Sequence, residues 1–126
     1  MPRVGGSINN PIDLSLASMV NPRVHRDAIK IVAEDENIDM LLVIAVVGGE
    51  LLRDLILEAM GDVKTRKPLV VTVMARSMQS VAQDFPLFLN SGISIYSDAA
   101  RAAKALSRLW EYAWFRTRWL DTGQDR

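Results

Sequence analysis

The chain has 126 residues, 15 basic and 15 acidic side chains and one histidine, so its formal charge is zero and it carries no general attraction for polyanions such as nucleic acids. Apolar residues make up 49% and charged residues 24%, a globular composition rather than a disordered one, and the length corresponds to one domain. With no cysteine, disulfides, thiolate metal sites and cysteine nucleophiles are excluded, and a single histidine cannot build a multi-histidine metal site.

Residues 1–10 contain Gly5, Gly6, Ser7 and two asparagines without an apolar period, and read as an irregular lead-in. Residues 11–15 alternate apolar and polar side chains behind Pro11, which predicts a short first strand. Asn21-Pro22 has the chemistry of a helix start, and Val24, Ala28, Ile31 and Val32 follow at helical spacing, giving an apolar face that should end near Asn37. Residues 40–47 form an apolar run rich in β-branched residues, as expected of a central strand in a parallel sheet. At eight residues it is also the longest such run, against the ~20 needed to span a bilayer. No signal-peptide core precedes it, and the expected location is cytoplasmic.

Gly48-Gly49 interrupts this strand, and Leu51, Leu52, Leu55, Ile56 and Ala59 predict a helix up to Gly61. Residues 68–74 predict another strand, with Pro68 at its start, and Ser77 is placed to cap a helix that Pro86 must divide or restart. Gly92 is placed to end the second piece, Ile93 to Tyr96 read as a short strand, and Ser97 is a candidate cap for the last helix. The apolar face expected of that helix is Ala99, Ala102, Ala103, Leu106, Leu109, Trp110 and Ala113. Four strands alternating with helices make the fold class α/β, a flavodoxin-like three-layer sandwich with an open parallel sheet of about four strands and helices on both faces. Residues 11–117 form the one expected domain, and 118–126 a tail.

Open α/β sheets bind ligands beyond the carboxyl ends of their strands, so chemistry is expected in the loops that follow them. Gly48 and Gly49 are the leading phosphate-binding candidates: glycines admit a close approach, and the amino end of the next helix offers unpaired amides to an anion. The same pair also suits a purely structural tight turn, and Glu50 opposes an anion unless Arg53 or Arg76 offsets it. Arg76 and Asp13 are further crevice candidates, Arg76 for a phosphate or carboxylate and Asp13 for turn formation or ligand contact. His25 falls in the first helix, away from this crevice, and reads as a surface or packing residue. No nucleophile, base and orienting acid assemble from the pattern, so no catalytic residue is assigned, and no metal site either.

Five of the eight aromatic residues, Trp110, Tyr112, Trp114, Phe115 and Trp119, crowd into ten positions beside Arg116 and Arg118. A helix turns ~100° per residue, so they cannot all face one core, and an interface for another domain or for a second copy is expected. Neutral net charge and the short basic segment argue against a membrane surface or single-stranded nucleic acid as the partner.

Assembled in order, these motifs resemble the flavodoxin-like CoA-ligase domain of ADP-forming (NDP-forming) acyl-CoA synthetases and of succinyl-CoA synthetase. Asn10-Pro11-Ile12-Asp13-Leu14 is similar to the family's Asn-Pro-x-Asp-Leu entry, and residues 39–47 with Gly48-Gly49 resemble its central strand and helix start. Lys67-Pro68 with the following strand, and Gly92 to Ser97 with the alanine-rich closing helix, continue the likeness over about residues 8–115. Two positions depart from it: Ser94 stands where proline is common, and Ala75-Arg76 replaces a small, glycine-like turn. The resemblance implies an acid–thiol ligase that interconverts acyl-CoA, ADP and phosphate with free acid, CoA and ATP through an acyl phosphate and a phosphohistidine. It implies for Gly48 and Gly49 a helix tip facing the phosphoryl group, and it carries no phosphohistidine role to His25. The family's CoA-binding domain, histidine-bearing segment and ATP-grasp domain have no counterpart in these residues. CoA, ADP or ATP and Mg are therefore expected on partner domains or subunits, with no cofactor bound by this domain alone, which would be inactive by itself. A domain of a larger enzyme and a stand-alone subunit both fit, as does a non-catalytic flavodoxin-like assembly module.

Overall fold

The computed structural model describes residues 6–15, 21, 23–46, 53–54, 56–58, 61, 63, 65–74 and 82–123. They form an α/β domain around an open, fully parallel, three-stranded sheet. In chain order the elements are α1 (Arg23–Glu34), β1 (Leu41–Val46), β2 (Leu69–Met74), α2 (Phe85–Asn90), β3 (Ser94–Tyr96) and α3 (Ala99–Gly123). Between β1 and β2, Arg53, Asp54, Ile56, Leu57, Glu58 and Gly61 are helical, as their spacing predicts.

The sheet order is β1-β2-β3. β1 and β2 pair along their whole length, from Leu41 opposite Leu69 to Val46 opposite Met74, while β3 pairs Ser94 with Val70 and Tyr96 with Thr72. Successive side chains of a strand point to opposite sides, and those of β2 alternate between two clusters accordingly. Val71 and Val73 join Ile29 of α1, Ile56, Phe88 of α2 and Ile93. Val70 joins Ala102 and Leu106 of α3, with Leu42 and Tyr96 packed against them. Val71 and Phe88 are fully buried.

Local chemistry explains several boundaries. Pro86 sits in the first turn of α2, where its missing N–H costs no hydrogen bond, so it restarts a helix as the sequence predicts. Gly92, at φ +74°, ends that helix in the left-handed region, and the Ile93 amide returns to the Phe88 carbonyl over 3.0 Å.

Four expectations need correction. Residues 11–15 are not a strand of the sheet: Asp13 makes only an isolated antiparallel bridge with Ser7, and its Oδ1 accepts the Ser15 amide at 2.8 Å to close a turn. In α1 the buried residues are Ile29 and Ala33, whereas Ile31 is exposed and the helix stops at Glu34. Ser97 does not cap α3: Asp98 does, accepting the Arg101 amide through Oδ1 at 2.8 Å. Finally, among its described side chains α3 buries only Ala102 and Leu106; Ala103, Leu109, Trp110 and Ala113 are exposed, and the helix continues without a break through residues 118–123.

Candidate functional site

Two regions merit attention, the carboxyl rim of the sheet and the second half of α3. The rim is defined by pairing. Val46 and Met74, the last residues of β1 and β2, lie opposite each other, so the chain leaves both strands at neighbouring points on one edge. Gly48 and Gly49 follow Val46 by two and three residues and Arg76 follows Met74 by two; all three lie outside the described residues. The rim is also where a parallel sheet points its strand ends toward a ligand. β3 ends earlier, with Tyr96 opposite Thr72, which sets Ser97 back from that edge.

Of the remaining sequence candidates, Asp13 spends one carboxylate oxygen on the Ser15 amide, the turn-forming role. Arg53 does not offer a free cation to an anion at the rim. Its Nε donates to Asp54 at 2.8 Å and its Nη1 to Asp84 at 3.2 Å, and these two carboxylates hold its pKa above the ordinary arginine value. The Asp84 contact joins the helical residues after β1 to the start of α2, with both side chains largely covered. His25 is partly buried in α1; burial lowers its pKa, and its Nε2 has no hydrogen-bond partner among the described residues. It is a packing residue, in keeping with its position in the sequence. Nor do three or more His, Asp or Glu side chains gather in a metal-binding group among the described residues.

The second half of α3 presents a different surface. Tyr112 is 62% exposed, Phe115 61% and Trp119 69%, with Trp110, Trp114 and Leu120 each about half exposed. Arg118 lies over the Trp114 ring, 4.6 Å from its centroid, a cation–π contact between residues one helical turn apart. Two shallow grooves run along this segment. One of about 260 Å³ is lined by Trp114, Phe115, Arg118 and Trp119, and one of about 290 Å³ by Tyr112, Phe115, Arg116, Trp119 and Leu120. The sequence signals an interface here but places Trp110 toward the core, where the structure leaves it half exposed. The Trp114–Arg118 contact is legible in hindsight from the i, i+4 spacing alone.

Together these features define a parallel α/β domain in which two strand ends meet on one rim, with an aromatic helical arm. Compared with known proteins, the chain matches no family model, no curated sequence and no solved structure. None of the helices among the described residues is long and apolar enough to cross a membrane.

Proposed function

We propose that this chain is the flavodoxin-like CoA-ligase domain of an NDP-forming acyl-CoA synthetase, in which it positions the phosphoryl group and contacts neighbouring domains. The supporting observation is the full-length parallel pairing of β1 with β2, which sends the chain toward Gly48-Gly49 and toward Arg76 from neighbouring points on one rim. Beyond that rim a helix start would present unpaired amides and a positive dipole end, and Arg76 would add a cation, to a phosphoryl group carried by a histidine of another domain. The reaction class is acid–thiol ligation through acyl phosphate and phosphohistidine. CoA, the nucleotide and its Mg would be held by the CoA-binding and ATP-grasp domains, and this domain would stabilise charge without forming a bond. The reading carries with it the complete flavodoxin-like sandwich, a fourth strand and a cytoplasmic setting.

The test is a titration of phosphate and of a phosphohistidine peptide into the protein, following the amide resonances of Gly48 to Leu51. These amides should shift with saturation, and Arg76→Ala should weaken binding about tenfold, the usual worth of one charge-assisted hydrogen bond. Amides that stay put at high ligand would remove the proposal.

A second reading is favoured by the uncovered rings of Tyr112, Phe115 and Trp119: a non-catalytic assembly module whose glycine turn is purely structural. It predicts no response to phosphate.

A further inference from the structure

We infer that the outer face of α3 pairs with the same face of a second copy, antiparallel and about a two-fold axis beside Phe115; this deepens the assembly reading of α3 and names its partner. At ~100° per residue, Tyr112, Phe115 and Trp119 fall within a ~60° stripe on the side of the helix away from Leu106, which packs toward the sheet. A copy lying along this stripe therefore approaches from solvent, on the side opposite the sheet.

The stripe is self-complementary. Tyr112 lies three residues before Phe115 and Trp119 four after it, while Glu111 lies four before and Arg118 three after. Reversing the helix about Phe115 thus superposes Tyr112 on the partner's Trp119, and Glu111 on the partner's Arg118, within about one residue's rise of 1.5 Å. Glu111 and Arg118 occupy the same flank of the stripe, so a two-fold operation sets opposite charges side by side at both ends. Glu111 already accepts from Arg108 at 2.6 Å within its own chain, and the partner's Arg118 would add a second cation to that carboxylate.

The area is sufficient. Buried aromatic rings cover 150–250 Å² each, so three that are about two-thirds exposed supply on the order of 400 Å² per copy. With the aliphatic stems of Arg116 and Arg118 added from each side, the pair reaches the ~1,000 Å² at which specific interfaces begin. Steric access is also open. Leu106, the last buried residue among the described side chains of α3, lies nine residues before Phe115, so the two bodies sit beyond opposite ends of the paired segment.

Sedimentation equilibrium of the whole chain over a concentration series tests this. A species of twice the 14.0 kDa chain mass is expected, with Phe115→Glu raising its dissociation constant more than about tenfold by burying two facing carboxylates. Glu111→Arg and Arg118→Glu should each weaken it about two- to fivefold, and the double exchange should restore it, an outcome a misfolded variant cannot mimic. A chain that stays at 14.0 kDa, or that associates only with anionic vesicles, overturns the inference. A dimer insensitive to Phe115→Glu but abolished by Trp110→Glu also overturns it, while leaving the assembly reading in place.

Discussion

Thr72 sits at the centre of β2, fully buried, with its hydroxyl oxygen lacking a hydrogen-bond partner among the described residues. Leaving such a group unpaired in an apolar setting costs about 1–3 kcal/mol. Valine has nearly the same shape and no hydroxyl, so Thr72→Val should raise unfolding stability by about 1–2 kcal/mol, read from the midpoint of urea denaturation. An unchanged or lowered midpoint would mean that the hydroxyl has a role in the folded chain. The sequence shows a threonine in a run of valines, which fits a strand equally well with the hydroxyl satisfied or unsatisfied. That difference depends on what approaches from the next element. Arg53 teaches the same lesson in charge: its position beside Gly48-Gly49 suggests an anion partner, and Asp84, 31 residues later in the chain, claims one of its nitrogens.

At the scale of elements, β1 and β2 were legible because unbroken apolar runs rich in β-branched residues have few alternatives inside a parallel sheet, and β3 as a short alternation after Gly92. Pro86 and Gly92 likewise marked the ends of α2 by backbone chemistry that does not depend on tertiary contacts. Residues 11–15 misled because alternation is compatible with a strand without requiring one, and here Asp13 accepts the Ser15 amide locally to close a turn. In α1 Val24, Ala28 and Val32 of the expected face are partly buried, but Ile31 lies ~200° around the helix from Ile29 and cannot share its burial. Helix α3 depends on Asp98 for its start. The Arg101 amide, and then the Ser97 hydroxyl and the Arg101 charge, stabilise the Asp98 carboxylate and lower its pKa from 3.8. A group depressed in the folded state contributes fully above its unfolded pKa, and that contribution is lost as the pH falls through the folded value. Circular dichroism melts between pH 7 and pH 3 should therefore show Asp98→Ala losing helix stability at neutral pH, with a shallower decline in acid. Asp98→Asn should keep the helix, since asparagine caps as well, while sharing that shallower decline. Identical acid limbs in all three proteins would show that the Asp98 charge contributes nothing.

Across the whole molecule, the decisive mismatch is one of length. A helix of 25 residues extends about 37 Å, whereas six-residue strands extend about 20 Å, so α3 outruns the sheet it packs on. Trp110 stands one turn past Leu106 on nearly the same side, yet remains half exposed because no strand among the described residues reaches it. Hydrophobic periodicity reports the direction of a face but not where its partner ends, which is why the sequence pattern assigned Leu109, Trp110 and Ala113 to the core. The candidate rim was legible as topology alone, from strands followed by glycine and arginine; the side chains that would finish it lie outside the described residues. A chain terminated after Ser107 should keep its thermal midpoint within a few degrees, because residues 108–120 are all exposed, and should lose self-association. A collapse of the midpoint would instead make the arm part of the fold.

All three tryptophans of the protein, Trp110, Trp114 and Trp119, reside on that arm. Fluorescence excited selectively in the indoles is consequently a gauge of the arm alone: its emission colour would register whatever comes to rest against those rings, and would stay nearly silent while the sheet itself melts.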